Sequence, residues 1–160
     1  MGAFEEDLYR DVILDHFKNP RNKGVVNSPD IELTGANPFC GDEIQITAKL
    51  AGEKIQDLRI NPNGCAISQA SASMMAEALE GQSINEIKSR IQLFRNKMLS
   101  NGTDSWPEAM EDMESLEGVK KYPVRVKCAV LAWNTLSEGL AEYAIKGAGN
   151  KVALRHVEGE

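Results

Sequence analysis

The chain reads as an α+β fold in which a three-stranded antiparallel sheet is covered by several helices. Two patterns carry that reading. Ile44, Ile46, Ala48 and Leu50 alternate with Gln45, Thr47 and Lys49, the period-two signature of a strand with one buried face. Before and after the strand region, apolar residues instead recur at the spacing of amphipathic helices.

Residues 4–17 form the first helix by this rule. Phe4, Leu8, Val12 and His16 recur one helical turn apart, with Tyr9, Ile13 and Phe17 beside them. Asn19-Pro20 ends the run, because the residue before a proline is pushed out of helical backbone. His16 lies on the apolar face and reads as a hydrogen-bonded core histidine rather than a metal ligand, while His156 falls in a polar stretch and receives no role. The alternating run 44–50 is joined through Gly52-Glu53-Lys54 to a second strand over 55–60, and residues 31–36 supply a third. A meander of this kind needs cover on one face. Ile67, Ala70, Met74 and Ala78 mark a helix over 66–80 that Gly81 stops. Ser83-Ile84-Asn85-Glu86 matches a capping box and opens a helix over 84–99. A short acidic helix is expected after Trp106-Pro107, and Pro123 suits the first position of a last long helix carrying Val130, Leu131, Leu136 and Leu140.

At 160 residues, with 42% hydrophobic and 26% charged residues, the chain can bury a core as one domain over residues 1–146, followed by a polar, loose tail over 147–160. A net charge of -6 argues against nucleic acid as the main partner. Asp104, Glu108, Glu111, Asp112, Glu114 and Glu117 form an acidic run that reads as a solvated loop. No apolar run is long enough to span a bilayer, and the acidic start Phe4-Glu5-Glu6-Asp7 does not have the layout of a secretory signal, so the expected location is the cytoplasm.

Three cysteines, an odd number without a Cys-x-x-Cys pair, suit one metal or reactive centre better than a disulfide framework. Cys40 lies in the turn Asn37-Pro38-Phe39-Cys40-Gly41-Asp42, where an extended backbone aims Cys40 and Asp42 to the same side. Cys65 follows Gly64 at a helix start, whose positive end favours a thiolate. Cys128 comes early in the last helix, after Arg125 and Lys127. Brought together, Cys40, Cys65, Cys128 and Asp42 offer sulfur and oxygen donors that tetrahedral zinc accepts and an iron–sulfur cluster can also use. Arg125 would offset the surplus negative charge and orient the carboxylate or an incoming sulfur. The spacing alone is equally compatible with buried, unreactive thiols. A cysteine-protease arrangement needs a histidine base, for which neither His16 nor His156 has the context.

Four stretches go further. They are Tyr9-Arg10-Asp11-Val12-Ile13-Leu14-Asp15-His16-Phe17 with Asn19-Pro20-Arg21-Asn22, the turn around Cys40, Gly64-Cys65-Ala66-Ile67-Ser68-Gln69-Ala70-Ser71-Ala72-Ser73, and Arg125-Val126-Lys127-Cys128-Ala129-Val130-Leu131-Ala132-Trp133. In these the chain resembles the U-type iron–sulfur cluster assembly family of IscU, SufU and the NifU amino-terminal domain, over roughly residues 4–142. It departs from the IscU branch in two places. Lys127 stands where that branch has a histidine, with Lys121-Tyr122-Pro123-Val124-Arg125 in place of a chaperone-docking segment, and an insertion around residues 95–117 lengthens the stretch between Cys65 and Cys128. Both departures are similar to the SufU branch.

The resemblance implies a metal site at one end of the sheet, with zinc held by Cys40, Asp42, Cys65 and Cys128. It also implies persulfide sulfur taken from a cysteine desulfurase, a sulfurtransferase-type role with Cys40 as acceptor and Arg125 assisting. Cys40 is the expected acceptor because it sits in a glycine-flanked turn, whereas Cys65 and Cys128 are anchored at helices. Two alternatives stay open here. One is a scaffold on which a [2Fe–2S] cluster is built on the same cysteines and passed to apo iron–sulfur proteins; the other is a purely structural zinc module.

Overall fold

The computed structural model describes residues 3–39, 41–100, 105–147 and 150–158. Helix α1 (Ala3–Lys18) precedes the strands β1 (Ile31–Asn37), β2 (Asp42–Ala51) and β3 (Lys54–Asn63). Helices α2 (Ala66–Leu79) and α3 (Ile84–Leu99), a 3₁₀ segment Glu108–Lys121, helix α4 (Pro123–Lys146) and strand β4 (Val152–Glu158) complete the order.

The antiparallel meander forms as the alternation predicts, with Leu33 opposite Ile46 and Ile46 opposite Ile60. The sheet has four strands rather than three, in the order β3-β2-β1-β4. The extra strand comes from the stretch expected to be a loose tail. It pairs parallel to β1, with Ile31 opposite Val152, and Val152 is buried. Parallel pairing covers an edge of β1 that would otherwise expose its backbone groups. Its partner lies more than a hundred residues away, so local composition carries little signal of it.

The buried row of β2 runs Ala48, Ile46, Ile44, Asp42, and that of β1 runs Ile31, Leu33, Gly35, Asn37. The two rows meet at the turn, where Asn37 and Asp42 are paired. The period that puts isoleucines into the core therefore drives a carboxylate and an amide inward at the sheet's end. Helix α4 crosses β1 at close range. A Cβ on Gly35 would meet Thr135 Oγ1 at 2.1 Å, and one on Gly139 would meet Leu33 Cδ1 at 2.5 Å.

Helices α2 and α4 are fastened by polar contacts inside the core. Trp133 Nε1 donates to Ser71 Oγ at 3.0 Å, and Ser71 Oγ donates to Ala129 O at 2.5 Å. These bonds satisfy buried groups and fix the register of the helix that follows Cys65 against the helix that holds Cys128. Helix starts follow the sequence. Ser83 Oγ caps α3 by accepting from Glu86 N at 3.1 Å, and Pro123 occupies the first turn of α4.

The insertion is not a solvated loop. Its 3₁₀ segment buries Met110, Met113 and Leu116, and Val119 packs against the same core. Those residues recur every third position, the period of a 3₁₀ helix, which puts Met113, Leu116 and Val119 on one face, with Met110 at a kink before them. Between them stand Glu111, Asp112, Glu114 and Glu117, and one of these reaches inward. Asp112 Oδ2 lies 2.8 Å from Nε2 of the fully buried His16, whose Nδ1 lies 2.8 Å from Ser73 Oγ. His16 is thus a hydrogen-bonded core histidine joining α1, α2 and the insertion, as its place on the apolar face suggests.

Candidate metal site

The end of the sheet, the start of α2 and the start of α4 meet at one point. Asp42, Cys65 and Cys128 each offer a ligand atom there, and those atoms lie within 4.8 Å of one another. Asp42 is fully buried, Cys128 is 1% exposed and Cys65 is half-buried. Cys40 lies outside the described residues.

Local structure explains each position. Cys65 is the N-cap of α2 in extended backbone, and its Sγ accepts from Ser68 N at 3.4 Å, so the sulfur sits at the positive end of the helix. Asp42 Oδ1 accepts from Cys65 N at 2.9 Å, and Oδ2 stands 3.7 Å from Cys65 Sγ. Gly64 makes this approach possible. Its φ of +153° is one that residues with a Cβ rarely adopt, and an added Cβ would lie 2.2 Å from Asp42 Oδ1. Cys128, in the second turn of α4, donates to Val124 O at 3.5 Å.

Asn37 is the residue the sequence reading passed over. It is fully buried, and its Nδ2 points at Cys128 Sγ across 4.0 Å. Its Oδ1 accepts from Phe39 N at 3.2 Å and its backbone carbonyl accepts from Gly41 N at 2.9 Å, so one side chain braces the turn and faces a sulfur. The available signal was its place opposite Asp42 in the inward row of the hairpin. Arg125 stands one turn before Cys128 on α4, exposed to solvent. Lys127, also near Cys128, holds its Nζ 4.2 Å from the centre of the Phe39 ring.

The donor set fits zinc. Tetrahedral zinc with sulfur ligands at ~2.3 Å places its donors ~3.8 Å apart, so a trio within 4.8 Å needs only a small contraction to close on an ion. A buried carboxylate beside two sulfurs puts one hard and two soft donors at one point, a mixed set that a divalent zinc ion accepts. A second trio, His16, Glu77 and Asp112, also lies within 4.8 Å. There the histidine nitrogens already have hydrogen-bond partners and Arg21 Nε sits 3.3 Å from Glu77 Oε2, so a cation is in place.

A groove of about 480 Å³ opens at the first residues of α2, lined by Tyr9, Arg10 and Ile13 of α1, Ile67 of α2, and Lys121 and Tyr122. Exposed apolar side chains stand nearby in sequence, with Phe39 at 72%, Tyr122 at 61% and Val124 at 56% exposure.

The chain is similar to known proteins over most of its length. The pattern of the NifU-like N terminal domain family matches residues 8–149. The zinc-dependent sulfurtransferase SufU of Bacillus subtilis (strain 168) is 44% identical over 137 residues, covering 86% of this chain and 92% of SufU. The iron–sulfur cluster assembly scaffold protein IscU of Streptococcus pyogenes serotype M1 is 38% identical over 138 residues, covering 86% and 85%. A crystal structure of a protein from Fervidobacterium islandicum AW-1, assigned as an iron–sulfur cluster assembly scaffold for the SUF system, superposes with a TM-score of 0.74 at 32% identity, covering 87% of this chain and 99% of the other. With sequence pattern and fold in agreement, the chain belongs to the NifU-like N-terminal domain family and has relatives named both SufU and IscU.

Proposed function

We propose that this protein works in iron–sulfur cluster biogenesis as a zinc-dependent acceptor and carrier of persulfide sulfur from a cysteine desulfurase. The observation that carries the reading is the convergence of Asp42, Cys65 and Cys128 at the sheet's end, with Asp42 and Cys128 buried and Cys65 half-buried. The likeness to a protein named a zinc-dependent sulfurtransferase supports it. Cys40, Asp42, Cys65 and Cys128 are the proposed ligands. Zinc, when bound, keeps the thiols ionised and shields them from oxidation.

The residues of the chain divide the work. Cys40 is the acceptor: its thiolate attacks the outer sulfur of the desulfurase persulfide. A new S–S bond forms on Cys40, the donor's S–S bond breaks, and the electron pair leaves on the desulfurase cysteine, with no net oxidation. Cys65 and Cys128 are set at helix starts and stay in place, with Asn37 and Ser68 donating toward their sulfurs. Arg125, exposed one turn before Cys128, meets the anionic sulfur as it arrives. The apolar groove with its Arg10 and Lys121 rim offers a docking face for the sulfur donor. None of the described helices is long and apolar enough to cross a membrane, and the proposed compartment is the cytoplasm, where free thiols persist.

Mass spectrometry after turnover with a cysteine desulfurase tests this directly. The expected product carries one added sulfur on Cys40; a persulfide on Cys65 or Cys128 instead would overturn the assignment of roles. The IscU relatives support a second reading, in which the cysteines hold a transient [2Fe–2S] cluster. Anaerobic reconstitution followed by intact transfer to an apo-ferredoxin would favour it.

A further inference from the structure

We propose that Phe39 and Lys127 form a positioning pair that sets the first-cysteine turn against the start of α4. Lys127 Nζ lies 4.2 Å from the centroid of the Phe39 ring, within the range of a cation–π contact. Each residue directly precedes a proposed ligand, Phe39 before Cys40 and Lys127 before Cys128. The contact therefore ties the backbone from which Cys40 departs to the helix that carries Cys128.

Burial does not account for this placement. Phe39 is 72% exposed as a residue, so little of its apolar surface is withdrawn from water. The attraction of an ammonium for the ring face supplies the preference instead. Asn37 reaches toward α4 from the other side of Pro38, through its contact with Cys128 Sγ at 4.0 Å, so the stem of the turn is held to one helix at two points. Gly41, with φ of +71°, gives the turn no side chain of its own on the far side of Cys40. Positioning of the acceptor thus falls to the residue before it. The effect is pre-organisation: ordering the turn in advance lowers the entropy lost when Cys40 joins the other donors.

This inference rests on the reading that Cys40 completes the ligand set. The test is a double-mutant cycle read as zinc affinity, by competition with a chromophoric chelator. Phe39→Leu keeps apolar bulk without the ring, and Lys127→Met keeps length without the charge. Each is expected to weaken zinc binding by about twofold to fivefold, the size of an exposed cation–π contact. The double variant is expected to be no weaker than either single variant, and Lys127→Arg to bind as the natural protein does. Losses that multiply would mean that charge and ring act separately, and would overturn the pair; so would unchanged affinity in both single variants. Cys40→Ser in the same titration separates the two levels. Unchanged affinity there removes Cys40 from the ligand set and overturns the metal reading, whereas weakened binding with multiplying losses overturns the pair alone.

Discussion

Asp42 binds Cys65 twice: its Oδ1 accepts the backbone N–H at 2.9 Å, and its Oδ2 faces the sulfur at 3.7 Å. The carboxylate thus orders the start of α2 and offers a ligand atom at once. Gly64 is what lets it come so close, since a Cβ there would overlap the carboxylate.

Gly64→Ala is therefore expected to cost about 1–3 kcal/mol of stability through overpacking, with zinc affinity falling as well. Asp42→Asn should separate the two roles. The amide oxygen can still accept from Cys65 N, so the denaturant midpoint should move little, while the lost charge weakens zinc binding. Chemical denaturation and chelator competition on the same preparations check both. Equal zinc affinity in Asp42→Asn and the natural protein would remove Asp42 from the ligand set.

Arg125 makes a different prediction because it is exposed. Arg125→Ala should leave the fold and zinc content unchanged and lower the rate of persulfide appearance on Cys40 by about tenfold, the scale of one charge-assisted hydrogen bond. Rapid-quench sampling with a desulfurase, followed by peptide mapping, measures it. A normal rate would confine Arg125 to the surface.

The close crossing of β1 and α4 predicts a purely structural effect. Gly35→Ala would drive a Cβ into the side chain of Thr135, whose Oγ1 donates to Leu131 O at 2.8 Å. A loss of about 1–3 kcal/mol is expected, seen as a lower urea midpoint. Metal affinity per folded molecule should stay the same, because Gly35 faces Thr135 of α4, one inward position before Asn37, and not the donor atoms.

Acid pH should act on one exposed pair at the end of α1. Arg21 Nη2 donates to Asp15 Oδ2 at 2.7 Å, and this bond, helped by Asn19, holds the Asp15 carboxyl below its ordinary range. A depressed folded-state pKa means that the pair's contribution is present above the ordinary aspartate value and is lost as pH falls through the lower one. Arg21→Gln should move the Asp15 titration upward, toward the ordinary value, in a carboxyl-detected NMR titration. An unmoved midpoint would show that Arg21 is not the cause.

Much of the molecule is legible in its residues. Alternation marked β2 and with it the meander, Ser83 and Pro123 marked helix starts, and Cys65 after Gly64 marked the start of α2, because caps and pleats are set by neighbours in the chain. The insertion was readable too, in Met110, Met113, Leu116 and Val119 at three-residue spacing, but only to a search for the 3₁₀ period rather than the α-helical one.

By itself, then, the sequence determined the meander, the helices that cover it and the residue types able to ligate a metal at their edges. Only the tertiary structure decided that β4 pairs with β1 at the sheet's edge, that Asn37 faces Cys128, and that Asp42, Cys65 and Cys128 bring their donor atoms to one point. The reason is physical. Local pattern sets which way each side chain points, while the meeting of two elements depends on packing between distant segments, here the glycine-lined crossing of α4 over β1 and the Ser71–Trp133 clamp between α2 and α4.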